Sequence, residues 1–435
     1  MNVQYRASHL TGTVAAPPSK SAAHRMILGA ALAALSGNRV STVSPIDLSE
    51  DMRATIGAVQ EMGFTAVYCE ESRTLSVSPG RRKVDTCTLD CHESGSTLRF
   101  LIPIAAALGI SCTFIGHGLL PRRPIGCYEQ CLPQNGVQMK TEGGLPLSIS
   151  GQLQPGDFSL PGNVSSQFIT GLLFALPLLP GDSTITLTAP LQSAGYVDMT
   201  EQALRAFGIT VTRTATGWTV PGNQTYGAKD TRVEGDWSQA AFFLAHGALS
   251  GGPVTVTGLS PHSTQGDKAM ADLMARFGAE VTVEEDRVTV QNALAGIEYG
   301  GLCGIDIDAG EIPDLVPALS VVASLSEGVT QIYNAGRLRL KECDRLEVMA
   351  QNLSLLGAEV ETTQDSMIIR GVPRLHGGLV YGTNDHRIVM AMSEAALRCD
   401  GVVEVTDAGS IRKSYPGFFE DTRSLGGDIH VIDIR

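Results

Sequence analysis

Met270-Ala271-Asp272-Leu273-Met274-Ala275-Arg276-Phe277-Gly278-Ala279-Glu280-Val281-Thr282-Val283 is the stretch on which the fold is read. Met270, Leu273, Met274 and Phe277 have the three-and-four spacing of a helix with one apolar face, and Gly278 follows as its C-terminal cap. Beyond it, Thr282-Val283 and Val288-Thr289-Val290 flank the charged turn Glu284 to Arg287, which predicts a hairpin. The same pattern recurs around Gly63, Gly136, Gly208, Gly357 and Gly426: a glycine after an amphipathic run, then a small or apolar residue, a variable one and an apolar one. Successive glycines lie 73, 72, 70, 79 and 69 residues apart, a regularity that a common residue does not reach by chance.

Upstream of each copy a polar loop opens into a nearly all-apolar helix. The openings are Ser19-Lys20-Ser21, Ser94-Gly95-Ser96-Thr97, Val164-Ser165-Ser166-Gln167, Gly235-Asp236-Trp237-Ser238, Ile312-Pro313-Asp314 and Asn384-Asp385-His386-Arg387. A helix apolar on every side has to be buried, so each repeat puts one helix inside and an amphipathic one outside against sheet. Ser, Thr, Asn and Asp at the openings suit N-caps. The expected class is α/β, with six repeats in two lobes of three. The break falls before the Gly235-Asp236 loop, and the N-terminal strand, ahead of Pro17-Pro18, returns to the second half by a crossover near Glu234. The lobes are therefore 1–18 plus 235–435, and 19–234. Helix N-termini carry unpaired N–H groups and positive dipole ends, so six of them aimed at one interlobe cleft would attract anions.

Composition narrows the function. Of 435 residues, 43% are apolar and 18% charged, the balance of a folded chain and not of a disordered one. A net charge of -13 excludes a broad basic face for nucleic acid, so an anion site has to be a local cluster of cations. The longest apolar stretch, Phe100 to Ile115, is interrupted by Pro103, Ser111 and Thr113 and is too short for a membrane span. Met1 to Leu10 alternates like a strand and lacks a signal peptide's apolar core, so a cytosolic chain without a membrane partner is expected. The nine cysteines are read as reduced thiols with no metal, because Cys87 with Cys91 and Cys127 with Cys131 lack a matching second half for zinc.

Cations gather at the loop openings: Lys20 and Arg25, then Arg99, Arg122-Arg123, Arg387 and Arg412-Lys413. Arg337-Leu338-Arg339-Leu340-Lys341-Glu342-Cys343-Asp344-Arg345 alternates as a strand and then opens a helix, adding more. For Arg99 and Arg339, pairing with a neighbouring acid is as good a reading as ligand binding. Lys20, Arg123, Lys341, Arg345, Arg387 and Lys413 together point to a ligand with more than one phosphate or carboxylate group. Asp314 and Glu342, embedded among them, are candidates for proton transfer, although Asp314 after Pro313 also suits a simple N-cap. Ser165-Ser166-Gln167 has no nucleophile elbow, and no phosphate-binding glycine motif occurs between a strand and a helix. His9, His246 and His262 read as structural or exposed, and His386 as orienting.

Pro18-Ser19-Lys20-Ser21 with Arg25, Ser94-Gly95-Ser96, Arg123-Pro124-Ile125-Gly126, Ser165-Ser166-Gln167, Ile312-Pro313-Asp314, Leu340 to Arg345, Asn384 to Arg387 and Lys413-Ser414-Tyr415-Pro416 stand in the order of one family. The chain resembles the 3-phosphoshikimate 1-carboxyvinyltransferases, or EPSP synthases, over essentially its whole length. The resemblance implies a two-lobe inside-out α/β barrel of six βαβαββ repeats. It implies transfer of the enolpyruvyl group of phosphoenolpyruvate to the 5-hydroxyl of shikimate 3-phosphate, with release of phosphate and without metal or cofactor. Lys20, Ser21, Arg25, Ser165, Ser166, Gln167, Ser193, Asp314, Arg337 and Lys341 would hold shikimate 3-phosphate. Lys20, Gly95, Arg123, Gln167, Arg345, Arg387 and Lys413 would hold phosphoenolpyruvate, while Asp314, Glu342 and Lys20 would move protons.

By the same resemblance, residues 19–234 would bind mainly shikimate 3-phosphate, and the other lobe would carry the catalytic acids and further phosphoenolpyruvate-binding cations. Shikimate 3-phosphate would close the lobes of a monomer. Glyphosate, a phosphoenolpyruvate mimic, would inhibit, since Gly95 is retained. Two positions depart from the family pattern: Glu93 and Arg337 stand where members carry Asn. The alternatives are the sister enzyme acting on UDP-N-acetylglucosamine, whose cysteine lies before its Arg-Pro element, unlike Cys127 here, and a non-catalytic protein that binds a phosphorylated metabolite.

Overall fold

The computed structural model describes residues 1–37, 39–80 and 83–432. They fall into two compact units, Lys20–Val233 and a split unit of Met1–Ser19 with Glu234–Arg435.

In the Lys20–Val233 unit one repeat shows the plan of all. Strands Thr86–Asp90 and Ser111–Ile115 are parallel because the helix Gly95–Ala107 carries the chain from one to the other. Leu147–Gly151 then pairs antiparallel with the second strand, and Val137–Lys140 lies at the edge, completing a four-stranded sheet. The sheet of Asp157–Leu160, Ser183–Leu187, Gly217–Val220 and Thr212–Thr214 repeats the pattern. In the third sheet Ser41–Ser44 takes its parallel partner, Thr231–Arg232, from the far end of the unit.

The split unit also holds three four-stranded sheets, and the N-terminus completes two of them. Gly12–Ala15 is the parallel partner of Val254–Thr257, and Asn2–Arg6 lies between Val403–Val405 and Asp428–Ile432, antiparallel to both. The sixth repeat therefore does not end in the expected hairpin. Its strand after Gly426 pairs with the first strand of the chain, which occupies the position a hairpin strand would fill.

All six repeat glycines have positive φ, from 81° at Gly208 to 116° at Gly278, so each leaves its helix in the left-handed conformation that a side chain disfavours. The apolar helices Lys20–Ala33, Gly95–Ala107, Ser166–Ala175, Trp237–Ser250, Val316–Ser324 and His386–Leu397 are largely buried, with Phe168, Ile169, Leu172, Leu173 and Phe174 fully so. Each such side chain contributes about 1.5–3 kcal/mol by leaving water.

Two further local expectations fail. Arg337 to Leu340 is not a strand but part of a 3-10 turn, Gly336–Leu340. Strand alternation would have put Leu338 and Leu340 on one face, yet Leu338 is buried and Leu340 is 53% exposed. In the second repeat the outer helix shrinks to Gly126–Cys131, followed by the 3-10 turn Pro133–Asn135, because Pro133 has no N–H to continue it. Among the described residues no helix is long and apolar enough to cross a membrane.

Candidate active site

In the split unit the charged loops converge on one carboxylate. Asp314 lies in the 3-10 turn Pro313–Leu315 just before the Val316–Ser324 helix, whose N-cap, Leu315, makes no side-chain cap bond. The simple N-cap reading of Asp314 is thereby replaced. Its Oδ1 accepts from Arg345 Nη1 at 2.9 Å and Lys341 Nζ at 3.3 Å, and its Oδ2 from Arg387 Nη2 at 3.4 Å. Arg345, the first residue of helix Arg345–Leu355, also donates through Nη2 to Glu342 Oε2 at 2.7 Å and through Nε to Asp385 Oδ2 at 2.8 Å. One guanidinium thus spaces both candidate proton-transfer acids, and charge-assisted forks of this kind fix geometry as well as energy.

Arg345 is 1% exposed and Asp385 fully buried, so the ion pairs have little water to compete with. Burial opposes the arginine's charge, but Asp385, Glu342 and Asp314 outweigh it and raise its pKa well above the ordinary value. Asp385 also caps the His386–Leu397 helix by accepting from Arg387 N at 2.9 Å. Arg387 donates to Ser238 Oγ at 2.6 Å, Lys413 Nζ to Asn384 O at 2.6 Å, and Arg337 Nη2 to Gly310 O at 2.6 Å. Burial lowers the Lys341 pKa, with Asp314 acting in the opposite direction.

The Lys20–Val233 unit carries a second cluster. Lys20 begins its helix and pairs with Asp51 Oδ2 at 2.8 Å. Gln167, next to the N-cap Ser165 and the buried Ser166, donates to Ser96 Oγ at 3.0 Å and accepts from Arg99 Nη1 at 2.7 Å. Gly95 opens its helix against Arg123: a Cβ there would lie 2.9 Å from the Arg123 Nη1 atom. Arg25 is almost fully buried and fastens its helix to two others, donating to Thr200 Oγ1 at 2.9 Å and Tyr196 O at 2.8 Å on one and to Thr170 Oγ1 at 3.4 Å on the second, and to Ser21 O of its own helix at 2.7 Å. Burial lowers its pKa to about 10. Ser193 is buried with φ 57°, an uncommon conformation for serine. Glu93 lies against Gly118, and Arg99 turns to Gln167 and to Pro124 O, the latter at 3.0 Å.

Beneath these groups runs a buried polar chain. Thr97 Oγ1 donates to Ser94 Oγ at 2.8 Å, so Thr55 Oγ1 has to donate to Thr97 at 2.6 Å and His24 Nδ1 to Thr55 at 2.8 Å. His24 is therefore a neutral Nδ1–H tautomer, in keeping with a pKa lowered by burial and by Lys20 and Arg25. The chain joins the Lys20 helix to the start of the Gly95 helix.

Sequence reading missed Asp51 and Asp267 and used Ser238 and Asp385 only as parts of their loops. Asp385 left a signal, as an N-cap beside cations. Asp51, in the first turn of the amphipathic helix Glu50–Glu61, left none, because its partner is set by packing. Asp267 is buried in the turn Gly266–Lys268; burial, then the negative charge of Asp314, raises its pKa to about 7. Cys127 is buried, which raises its thiol pKa and makes it a poor nucleophile.

The family model for EPSP synthase (3-phosphoshikimate 1-carboxyvinyltransferase) matches residues 5–422. The chain belongs to the EPSP synthase family. It is 43% identical over 439 residues to the 3-phosphoshikimate 1-carboxyvinyltransferase of Clostridium novyi, covering 98% of both chains. It is likewise 43% identical over 436 residues to that of Clostridioides difficile, covering 97% of each. An EPSP synthase structure from Acinetobacter baumannii superposes with TM-score 0.81 at 25% identity over 99% of this chain and 100% of that one. The enolpyruvyl transferase NikO from Streptomyces tendae shares the fold, with TM-score 0.79 at 17% identity over 99% and 98% of the two chains. Membership of the EPSP synthase family agrees with the expected α/β fold and with enolpyruvyl transfer from phosphoenolpyruvate to shikimate 3-phosphate, and the UDP-N-acetylglucosamine alternative is not favoured.

Proposed function

We propose that the Asp314 cluster performs the proton transfers of enolpyruvyl transfer in the shikimate pathway. The observation that carries this reading is the carboxylate of Asp314, held by Lys341, Arg345 and Arg387 while the same Arg345 holds Glu342. Asp314 takes the proton of the 5-hydroxyl as its oxygen bonds to C2 of phosphoenolpyruvate. Glu342, assisted by Lys20, delivers a proton to the methylene carbon. In the tetrahedral intermediate Glu342 then takes back a proton from the methyl group as the C2–O bond to phosphate breaks, the departing phosphate takes up the proton held by Asp314, and the enolpyruvyl group stays on shikimate 3-phosphate.

Shikimate 3-phosphate is assigned to Lys20, Ser21, Arg25, Ser165, Ser166, Gln167, Ser193, Asp314, Arg337 and Lys341. Phosphoenolpyruvate is assigned to Lys20, Gly95, Arg123, Gln167, Arg345, Arg387 and Lys413. The charge of both substrates suits these cations. A cytosolic monomer carries all of these groups, which sedimentation would check.

Phosphate release is the direct test, with shikimate 3-phosphate and with UDP-N-acetylglucosamine as parallel acceptors. Release with the first alone is expected. Asp314→Asn should lower kcat by about 10²–10⁴, and a pH–rate profile identical to that of the unmodified protein would remove Asp314 from this role. Glyphosate should compete with phosphoenolpyruvate; inhibition only far above the KM for phosphoenolpyruvate would overturn that expectation.

A further inference from the structure

Two thiols outside the active site face each other across a pair of parallel strands. Cys87 on Thr86–Asp90 and Cys112 on Ser111–Ile115 are register partners, and their sulfurs are 3.2 Å apart. Neither is in a disulfide. In the sequence Cys87 stands near Cys91, a spacing read as no zinc site; the sheet gives it a different neighbour.

We propose that Cys87 and Cys112 form a reversible, oxidant-driven disulfide, a modification site that takes a peroxide as its co-substrate. Cys87 is half-buried while Cys112 is 2% exposed, so Cys87 is the sulfur that meets the oxidant. A hydrogen bond from Cys112 lowers the Cys87 pKa against the effects of burial and of Glu61, while Cys112 is shifted up and remains the thiol. The thiolate is the reactive form. The Cys87 thiolate attacks one oxygen of hydrogen peroxide, breaking the O–O bond to give a sulfenic acid and hydroxide. Hydroxide takes the Cys112 proton to form water. The Cys112 sulfur then attacks the Cys87 sulfur and expels hydroxide, which picks up a proton as a second water. Two thiols are oxidised and one peroxide is reduced to two waters.

Geometry also sets the character of the bond. Adjacent strands lie about 4.7–4.9 Å apart, within the usual Cα span of a disulfide but wide for its Cβ separation of about 3.5–4.5 Å. A strained bridge of this kind is labile and easily reduced. It would close a covalent ring around the crossover that carries Ser94, Gly95 and Arg99, since the strand–helix–strand segment lies between the two cysteines.

The test is mass spectrometry of the full-length protein after hydrogen peroxide, with free thiols alkylated under denaturing conditions. The expected result is two fewer alkyl adducts than on the untreated protein, a Cys87–Cys112 cross-linked peptide, and recovery of both thiols with dithiothreitol. Cys87→Ser and, separately, Cys112→Ser should retain the activity of the reduced protein and yield no such peptide. Both cysteines still alkylatable after oxidation, Cys87 driven to sulfinic acid while Cys112 stays free, or a bridge to Cys91 instead would each overturn the proposal. These outcomes do not depend on the enzymatic assignment.

Discussion

Glu394 stands inside the His386–Leu397 helix, fully buried, with neither carboxylate oxygen hydrogen-bonded among the described residues. Burial alone raises its pKa well above the ordinary value, so the folded protein holds a proton that the unfolded chain gives up above about pH 4.3. Stability from this group is therefore complete below that pH and declines as pH rises toward the raised folded value. Glu394→Met should raise stability at neutral pH by about 1–3 kcal/mol, the cost of an unsatisfied buried polar group, and should flatten the decline. Urea denaturation across pH would show it; an unchanged midpoint would mean that Glu394 has a partner in solution. At the same scale, Gly95→Ala would press a methyl group against Arg123. The KM for phosphoenolpyruvate should rise while that for shikimate 3-phosphate changes little, and equal effects on both would contradict the assignment of Arg123.

At the scale of elements, the helix openings position the chemistry, and some were easier to read than others. The buried helices were legible because an all-apolar run has few other places to go, and Ser94, Ser165, Asp236 and Asp385 were legible as caps; each accepts from a backbone N–H of its helix. The turn Gly336–Leu340 was not legible, since its alternation fits two geometries and only burial separates them. Nor was the link between helices formed by His24, Thr55 and Thr97. Thr55→Val keeps the shape but removes both hydrogen bonds of the Thr55 hydroxyl, and should cost about 1–3 kcal/mol. It should also raise the KM for phosphoenolpyruvate through the start of the Gly95–Ala107 helix, with Thr55→Ser restoring both. A stability loss with unchanged kinetic constants would show that the chain only supports packing.

For the whole molecule, the N-terminal strands close the split unit. Deleting residues 1–18 removes Asn2–Arg6, which is paired on both sides, and Gly12–Ala15 from a second sheet. Hydrogen exchange should then lose protection at Val403–Val405 and Asp428–Ile432, while Thr86–Asp90 and Ser111–Ile115 keep theirs. Retained protection at Asp428–Ile432 would mean that another strand replaces the missing one.

The amino-acid sequence by itself determined the repeat, the left-handed glycines, the six buried helices and the presence of a cation cluster, because each is encoded in local periodicity or in residue type. Tertiary structure decided the rest. Asp314 changes from a plausible helix cap to the centre of an ion cluster through Arg345 and Arg387, 31 and 73 residues away in the chain. The first strand joins Val403–Val405, the last strand but one, across about 400 residues, as Asn2 and Gln4 bonded to Glu404 show. Such pairings leave no local mark, since hydrogen bonds and ion pairs depend on which groups the packed core brings within about 3 Å, and any backbone edge or carboxylate can serve until it does.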